Sequence, residues 1–186
     1  IIACCHWGIE REYYPNDYQV NTAHKIIDWG ADLLIGNHPH VLQGMELYNG
    51  KVICYSLGNF CFGGNKNPTD KNTAIYQQTF NFLDGQLQPD INACIIPCTL
   101  SSTQSANDFQ PTVAENGKKQ EIIDLMNTYS QNYSNIGFYE DGKLYGSCNL
   151  MHQEVYRYSL DKWKLFMRWG DEIDSDYNGN SRNEFS

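Results

Sequence analysis

The sequence has no apolar stretch long enough to span a bilayer, which takes about 20 consecutive residues. It also has no charged start leading into a long apolar core, as a secretory signal would. Positive charge is scarce: 13 Lys and Arg stand against 22 Asp and Glu, a formal net charge of −9. That balance argues against broad binding to nucleic acid or to an anionic membrane. It also repels anionic substrates at long range, so a polyanion would need a local cation, such as a metal, to be held. Redox and zinc-knuckle cysteine pairs are lacking too. The seven cysteines, at 4, 5, 54, 61, 94, 98 and 148, are odd in number, and Cys94 and Cys98 are separated by three residues instead of two. A disulfide framework is not expected at this size. Six of the cysteines lie in or beside apolar runs, and the expectation is buried free thiols.

What is present argues for a folded protein. The hydrophobic share is 41% and the aromatic share 13% of 186 residues, enough for one domain with a real core. Residues 1–133 are expected to form that body and residues 134–186 an appended tail. The chain opens at Ile1 inside an apolar run, Ile1-Ile2-Ala3-Cys4-Cys5, and the expectation is that it begins mid-fold at a core strand.

That strand delivers His6-Trp7-Gly8-Ile9-Glu10 to its carboxyl end, where open α/β sheets gather ligands. His6 is a candidate metal ligand there. Glu10 is placed to contact a metal-bound water or orient a histidine; the alternative is a solvated loop carboxylate. A helix is expected from an Asn16 or Asp17 cap to about Trp29, with Val20, Ala23, Ile26 and Ile27 on its buried face and Gly30 closing it. His24 lies on this helix, away from the strand ends, and reads as a rim residue.

A second buried strand, Leu33-Leu34-Ile35, follows and completes a βαβ-like unit. It runs into Gly36-Asn37-His38-Pro39-His40. Two imidazoles spaced by one residue at a strand end can converge on one bound centre; the alternative is that both cap a turn. A hairpin follows through Asn49-Gly50, the strongest short hairpin signal. Beyond it, Gly58-Asn59 suggests a tight bend with Asn59 facing the site, or a plain Asx turn. Residues 63–73 read as a polar loop, 74–83 and 87–97 as paired strands about Asp84-Gly85, 101–117 as loop, and 117–129 as a helix. A helical pattern recurs over 151–169. Residues 174–179 imitate the first half of a calcium loop, but position twelve would be Phe185, which supplies no carboxylate.

Taken together, His6-Trp-Gly-Ile-Glu10, Gln19, Ile27 to Gly36, His38-Pro-His-Val-Leu-Gln43, Glu46 and Tyr55-Ser-Leu-Gly-Asn-Phe60 are a specific combination. It resembles the CapA/PgsA family, the bacterial poly-γ-glutamate capsule biosynthesis proteins, within the calcineurin-like metallophosphatase superfamily. The match is clear over residues 1 to about 62 and faint to about 130. The resemblance implies an α+β fold, a four-layer αββα sandwich of which this chain carries the C-terminal half. It implies two divalent metals, Mn, Fe or Zn, with His6 serving one and His38 and His40 supplying one ligand each. Glu10 and Asn59 are the candidate catalytic residues.

The family's remaining ligands come from Asp and Asn-His motifs upstream that this sequence does not contain, so the cage and any hydrolase activity are expected to be incomplete in this chain. The implied partners are the poly-γ-glutamate synthesis and export machinery, or an anionic polymer or phosphoester substrate, at the bacterial cell surface. Membrane association would come through a missing N-terminal segment, and nucleic acid is not an expected partner. Three functions follow: a capsule protein of this type, a metal-dependent phosphoesterase, or a non-catalytic module that binds or assembles surface polymer.

Overall fold

The computed structural model describes residues 1–133 and 136–146. Cys148, the helical pattern over 151–169 and the calcium-loop imitation at 174–179 lie outside the described residues.

The first strand, β1 (Ile2–His6), leads through a loop into helix α1 (Asp17–Asp28) and back into β2 (Leu33–Asn37). The helix starts where a capping box forms. Asn16 Oδ1 accepts from the Gln19 backbone N–H, and Gln19 Oε1 accepts from the Asn16 N–H. It ends in a Schellman pair, Gly30 N–H to Ile27 O and Ala31 N–H to Ile26 O, with Gly30 at φ 107°. Ala23, Ile26 and Ile27 are buried as the periodicity predicts, Val20 is only half-buried, and Gln19 is buried beside them.

Strands β3 (Met45–Tyr48) and β4 (Lys51–Cys54) form the expected hairpin, with Asn49 and Gly50 both at positive φ, 48° and 73°. That is the type I′ geometry that two-residue hairpins favour. The sheet order is β1-β2-β4-β3, with β1/β2 and β2/β4 parallel. In this register His6 pairs with Asn37. The carboxyl ends of two adjacent parallel strands therefore coincide, and both histidine-bearing loops leave from the same edge.

Strands β5 (Asn72–Thr79), β6 (Phe82–Leu83), β7 (Gln86–Leu87), β8 (Asn92–Thr99) and β9 (Thr112–Val113) follow. The single hairpin expected over 74–97 divides into two ladders, β5/β8 and β6/β7. Pro89 removes a backbone donor from the second strand, and Asn81 Nδ2 donates to Asp90 instead of the ladder continuing.

Helix α2 (Asn116–Ser130), a short 3-10 turn (Gln131–Tyr133) and a hairpin of β10 (Ile136–Phe138) and β11 (Leu144–Gly146) complete the described residues. The core joins Leu33, Met45 and Val52 of the first sheet to Ala74 and Ile95 of the second. Ile122, Ile123 and Met126 of α2 and Phe138 of β10 lie between them. The described part is therefore α+β. None of its helices is long and apolar enough to cross a membrane.

The cysteines depart from expectation. Six are free thiols among the described residues, but only Cys54 and Cys98 are buried, while Cys4 and Cys61 are exposed. Cys4 alternates to the outer face of β1, which no described element covers, so an apolar neighbourhood in sequence did not translate into burial.

Candidate functional site

The two loops meet at His6, His38 and His40. His38 Nδ1 lies 3.0 Å from His6 Nε2, with the rings edge to face at 4.6 Å between centroids. The His38 and His40 ring centroids are 5.8 Å apart. Reaching this arrangement takes an uncommon backbone. His38 is at φ 99° and His40 at φ 61°, in the left-handed region that non-glycine residues avoid. Such residues cost roughly 1–3 kcal/mol each and persist only where neighbours hold them.

The neighbours are identifiable. Asn37 Oδ1 accepts from the His38 N–H at 2.8 Å, and Pro39 O accepts from the Arg11 N–H at 2.8 Å. Asn59 Nδ2 donates to His40 O at 3.3 Å.

That last bond settles a tautomer. With its amide nitrogen turned to the His40 carbonyl, Asn59 presents Oδ1 to His40 Nδ1 at 2.7 Å. Nδ1 must then carry the proton, which leaves the Nε2 lone pair available. Asn59 is buried at 7% exposure and faces the cluster. Glu10 is exposed, its Oε1 4.0 Å from His40 Nε2, beyond hydrogen-bond reach and within electrostatic reach. The Phe62 ring closes the far side of His40 at 5.1 Å.

Burial pushes the His38 pKa below its ordinary value. The neighbouring His6 and His40 push it the same way, and Glu10 opposes them. His38 is therefore mainly neutral at pH 7, as metal ligation requires.

The donor set suits a metal in kind. Two imidazole nitrogens about 2.0–2.1 Å from one tetrahedral ion lie roughly 3.3 Å apart, close to the His6–His38 spacing. In number it falls short. Among the described residues no three His, Cys, Asp or Glu side chains form a group that could hold an ion. His24 stays apart from the cluster. Its Nε2 bonds both Glu46 oxygens, at 2.9 and 3.0 Å, and its ring stacks on Tyr48 at 3.8 Å.

Other residues at the site had no role readable from sequence. Trp7 Nε1 donates to Tyr55 O at 3.0 Å, bracing the His6 loop against the end of β4. Gln43, fully buried, accepts from Gln19 Nε2 at 2.9 Å and donates to Glu12 O at 2.8 Å, tying the two loops together. A glutamine flanked by apolar residues was the available signal, but sequence does not say which buried amide finds a partner.

Comparison with known proteins centres on this region. Residues 1–64 match the family model described as bacterial capsule synthesis protein PGA_cap. The PGA biosynthesis protein CapA of Bacillus subtilis (strain 168) is 52% identical over 62 residues, 33% of this chain and 16% of that protein. The capsule biosynthesis protein CapA of Bacillus anthracis is 44% identical over 62 residues, 33% and 15% of the two lengths. A probable polyglutamine synthesis accessory protein of Mycobacterium tuberculosis (strain CDC 1551 / Oshkosh) is 36% identical over 58 residues, 31% and 15%. The matched stretch spans about a sixth of these relatives, and it contains His6, Glu10, His38, His40 and Asn59. Through this segment, which holds both histidine loops, the chain is similar to the bacterial capsule synthesis proteins, and the similarity covers about a third of its length.

Proposed function

We propose that this chain is part of a bacterial capsule synthesis protein acting in poly-γ-glutamate production at the cell surface, and that its histidine cluster is half of a two-metal centre. The supporting observation is the convergence of His6, His38 and His40 from two loops at one sheet edge, within the stretch similar to the CapA proteins. On this reading the domain is a four-layer αββα sandwich, completed by elements outside this sequence.

His6 and His38 would share one divalent ion, and His40, through Nε2, would reach toward the second. The ions would supply Lewis acidity and an activated water for attack on a phosphoester. Asn59 holds His40 in the ligating tautomer. Glu10, exposed beside His40, is placed to orient water or take up a proton. The partners on this reading are the polymer synthesis and export machinery or an anionic polymer or phosphoester.

The test replaces His38 and His40 by Ala in the protein as its bacterium makes it. Metal content, hydrolysis of a generic phosphodiester and cell-surface poly-γ-glutamate are then measured. Loss of metal together with polymer supports the reading, and loss of hydrolysis as well would make the protein a phosphoesterase. Retention of metal and polymer would overturn it, leaving a non-catalytic assembly module whose histidines are structural.

A further inference from the structure

Away from the histidine cluster, a groove of about 840 Å³ lies between the loop 67–72, the loop 101–104, β9 and the outer face of α2. Three features decide what it can hold.

Its charge is nearly balanced. Asp70, Glu115 and Glu121 face Lys71 and Lys118, and both ammonium groups are engaged, Lys71 Nζ with Gln104 O and Lys118 Nζ with Glu121, each at 2.6 Å. With three carboxylates against two lysines, an anionic polymer meets a net negative lining here, and a strongly cationic ligand meets two lysines.

Its hydrogen-bonding capacity is lopsided. The hydroxyls of Thr99, Ser101, Ser102 and Thr103 each already donate to a protein oxygen. Carboxylates have about four acceptor positions apiece and no donor when ionised. The groove therefore suits a ligand that brings its own O–H donors.

One end is aromatic. Tyr13 and Tyr129 lie with ring centroids 5.5 Å apart and planes 33° from parallel, and Tyr14 meets Tyr129 edge-on. Tyr13 is 37% exposed and its hydroxyl is hydrogen-bonded to Asp70, so the ring is held in place while remaining reachable. A held tyrosine presents a flat apolar face at low entropic cost.

We infer that this groove binds a neutral saccharide chain, its C–H face on Tyr13 and its hydroxyls donating to the Asp70, Glu115 and Glu121 carboxylates. The inference does not depend on the metal centre, since none of the histidines lines the groove.

The test is an amide-shift titration by NMR of the intact protein that carries this chain. The probes are chitotetraose, maltotetraose, a γ-glutamyl tetramer and spermidine, each at millimolar concentration. Expected are shifts with at least one of the two saccharides, confined to residues 67–72, 101–104 and the facing turns of α2. Affinity should fall about tenfold in Tyr13→Ala. It should fall several-fold in Glu121→Gln, an exposed change that leaves the fold intact; thermal melts of both variants check this. No saccharide response, shifts elsewhere on the chain, or tighter binding of the γ-glutamyl tetramer or spermidine would each overturn the inference.

Discussion

At the residue scale, the cluster depends on groups that allow no substitution and on others that tune charge. Gly36 precedes the His-Pro-His loop, and a Cβ there would lie 2.1 Å from Tyr55 O and 2.5 Å from Trp7 Nε1. Gly36→Ala must part β2 from the end of β4 and break the Trp7 hydrogen bond. The expected loss is about 1–3 kcal/mol of unfolding free energy in a denaturant titration.

His38 makes a pH-dependent prediction with a definite sign. Its pKa is lowered in the folded chain, first by burial and then by His6 and His40. The unfolded chain therefore binds the proton more readily. The stability His38 contributes is present above the ordinary imidazole value of about 6.5 and is lost as pH falls below it. In metal-free protein an imidazole NMR titration should place the His38 midpoint under that value. Because Glu10 opposes the shift, Glu10→Gln should move the midpoint lower still. A midpoint unchanged by Glu10→Gln would mean that the carboxylate does not act on the cluster in solution.

At the element scale, α1 sets the position of the His6 loop, because its capping residue and the loop share Gln19. The Gln19 carboxamide caps the helix through Asn16, bonds Gln43, and lies where a Cβ on Gly8 would come within 2.8 Å. Asn16→Ala removes the reciprocal cap and should cost about 1 kcal/mol by thermal or chemical denaturation. Amide exchange should rise in the first turn of α1 and in residues 7–12, while the β3/β4 hairpin stays protected. Much of this scale was legible in sequence: the Asn16 start, the Gly30 stop and the Asn49-Gly50 turn are local signals set by φ/ψ and nearby donors. The 74–97 hairpin was legible only as a single pair of strands. Its division depends on Pro89 and on Asn81 bonding Asp90 across the gap, a contact that periodicity does not register.

At the scale of the molecule, one core among the described residues serves both the β1-β2-β4-β3 sheet and the β5-β8-β9 sheet. Met126 of α2 is fully buried in the same cluster as Val52 of the first sheet and Ile95 of the second. Met126→Ala should therefore cost about 2–5 kcal/mol and lower the protection of both sheets together in hydrogen exchange. Protection lost in only one sheet would show that the two unfold as separate units. The net charge of −9 also acts at this scale, repelling an anionic ligand at long range.

The sequence by itself determined which residues could meet. A parallel βαβ unit returns its two strands in the same direction, so any side chains just past His6 and Asn37 emerge at one edge, and an imidazole in each loop can converge there. It also determined the family resemblance, which rests on local strings of residues. Only the tertiary structure decided how they meet: His38 Nδ1 against His6 Nε2, His40 turned by Asn59, and Glu10 held just out of hydrogen-bond reach. The same holds for the exposure of Cys4, the Gln19–Gln43 tie and the groove beside Tyr13. Each depends on which surfaces far apart in the chain come to face one another. Burial and hydrogen-bond partnership belong to pairs of distant residues, whereas propensity, capping and turn chemistry belong to neighbours along the chain.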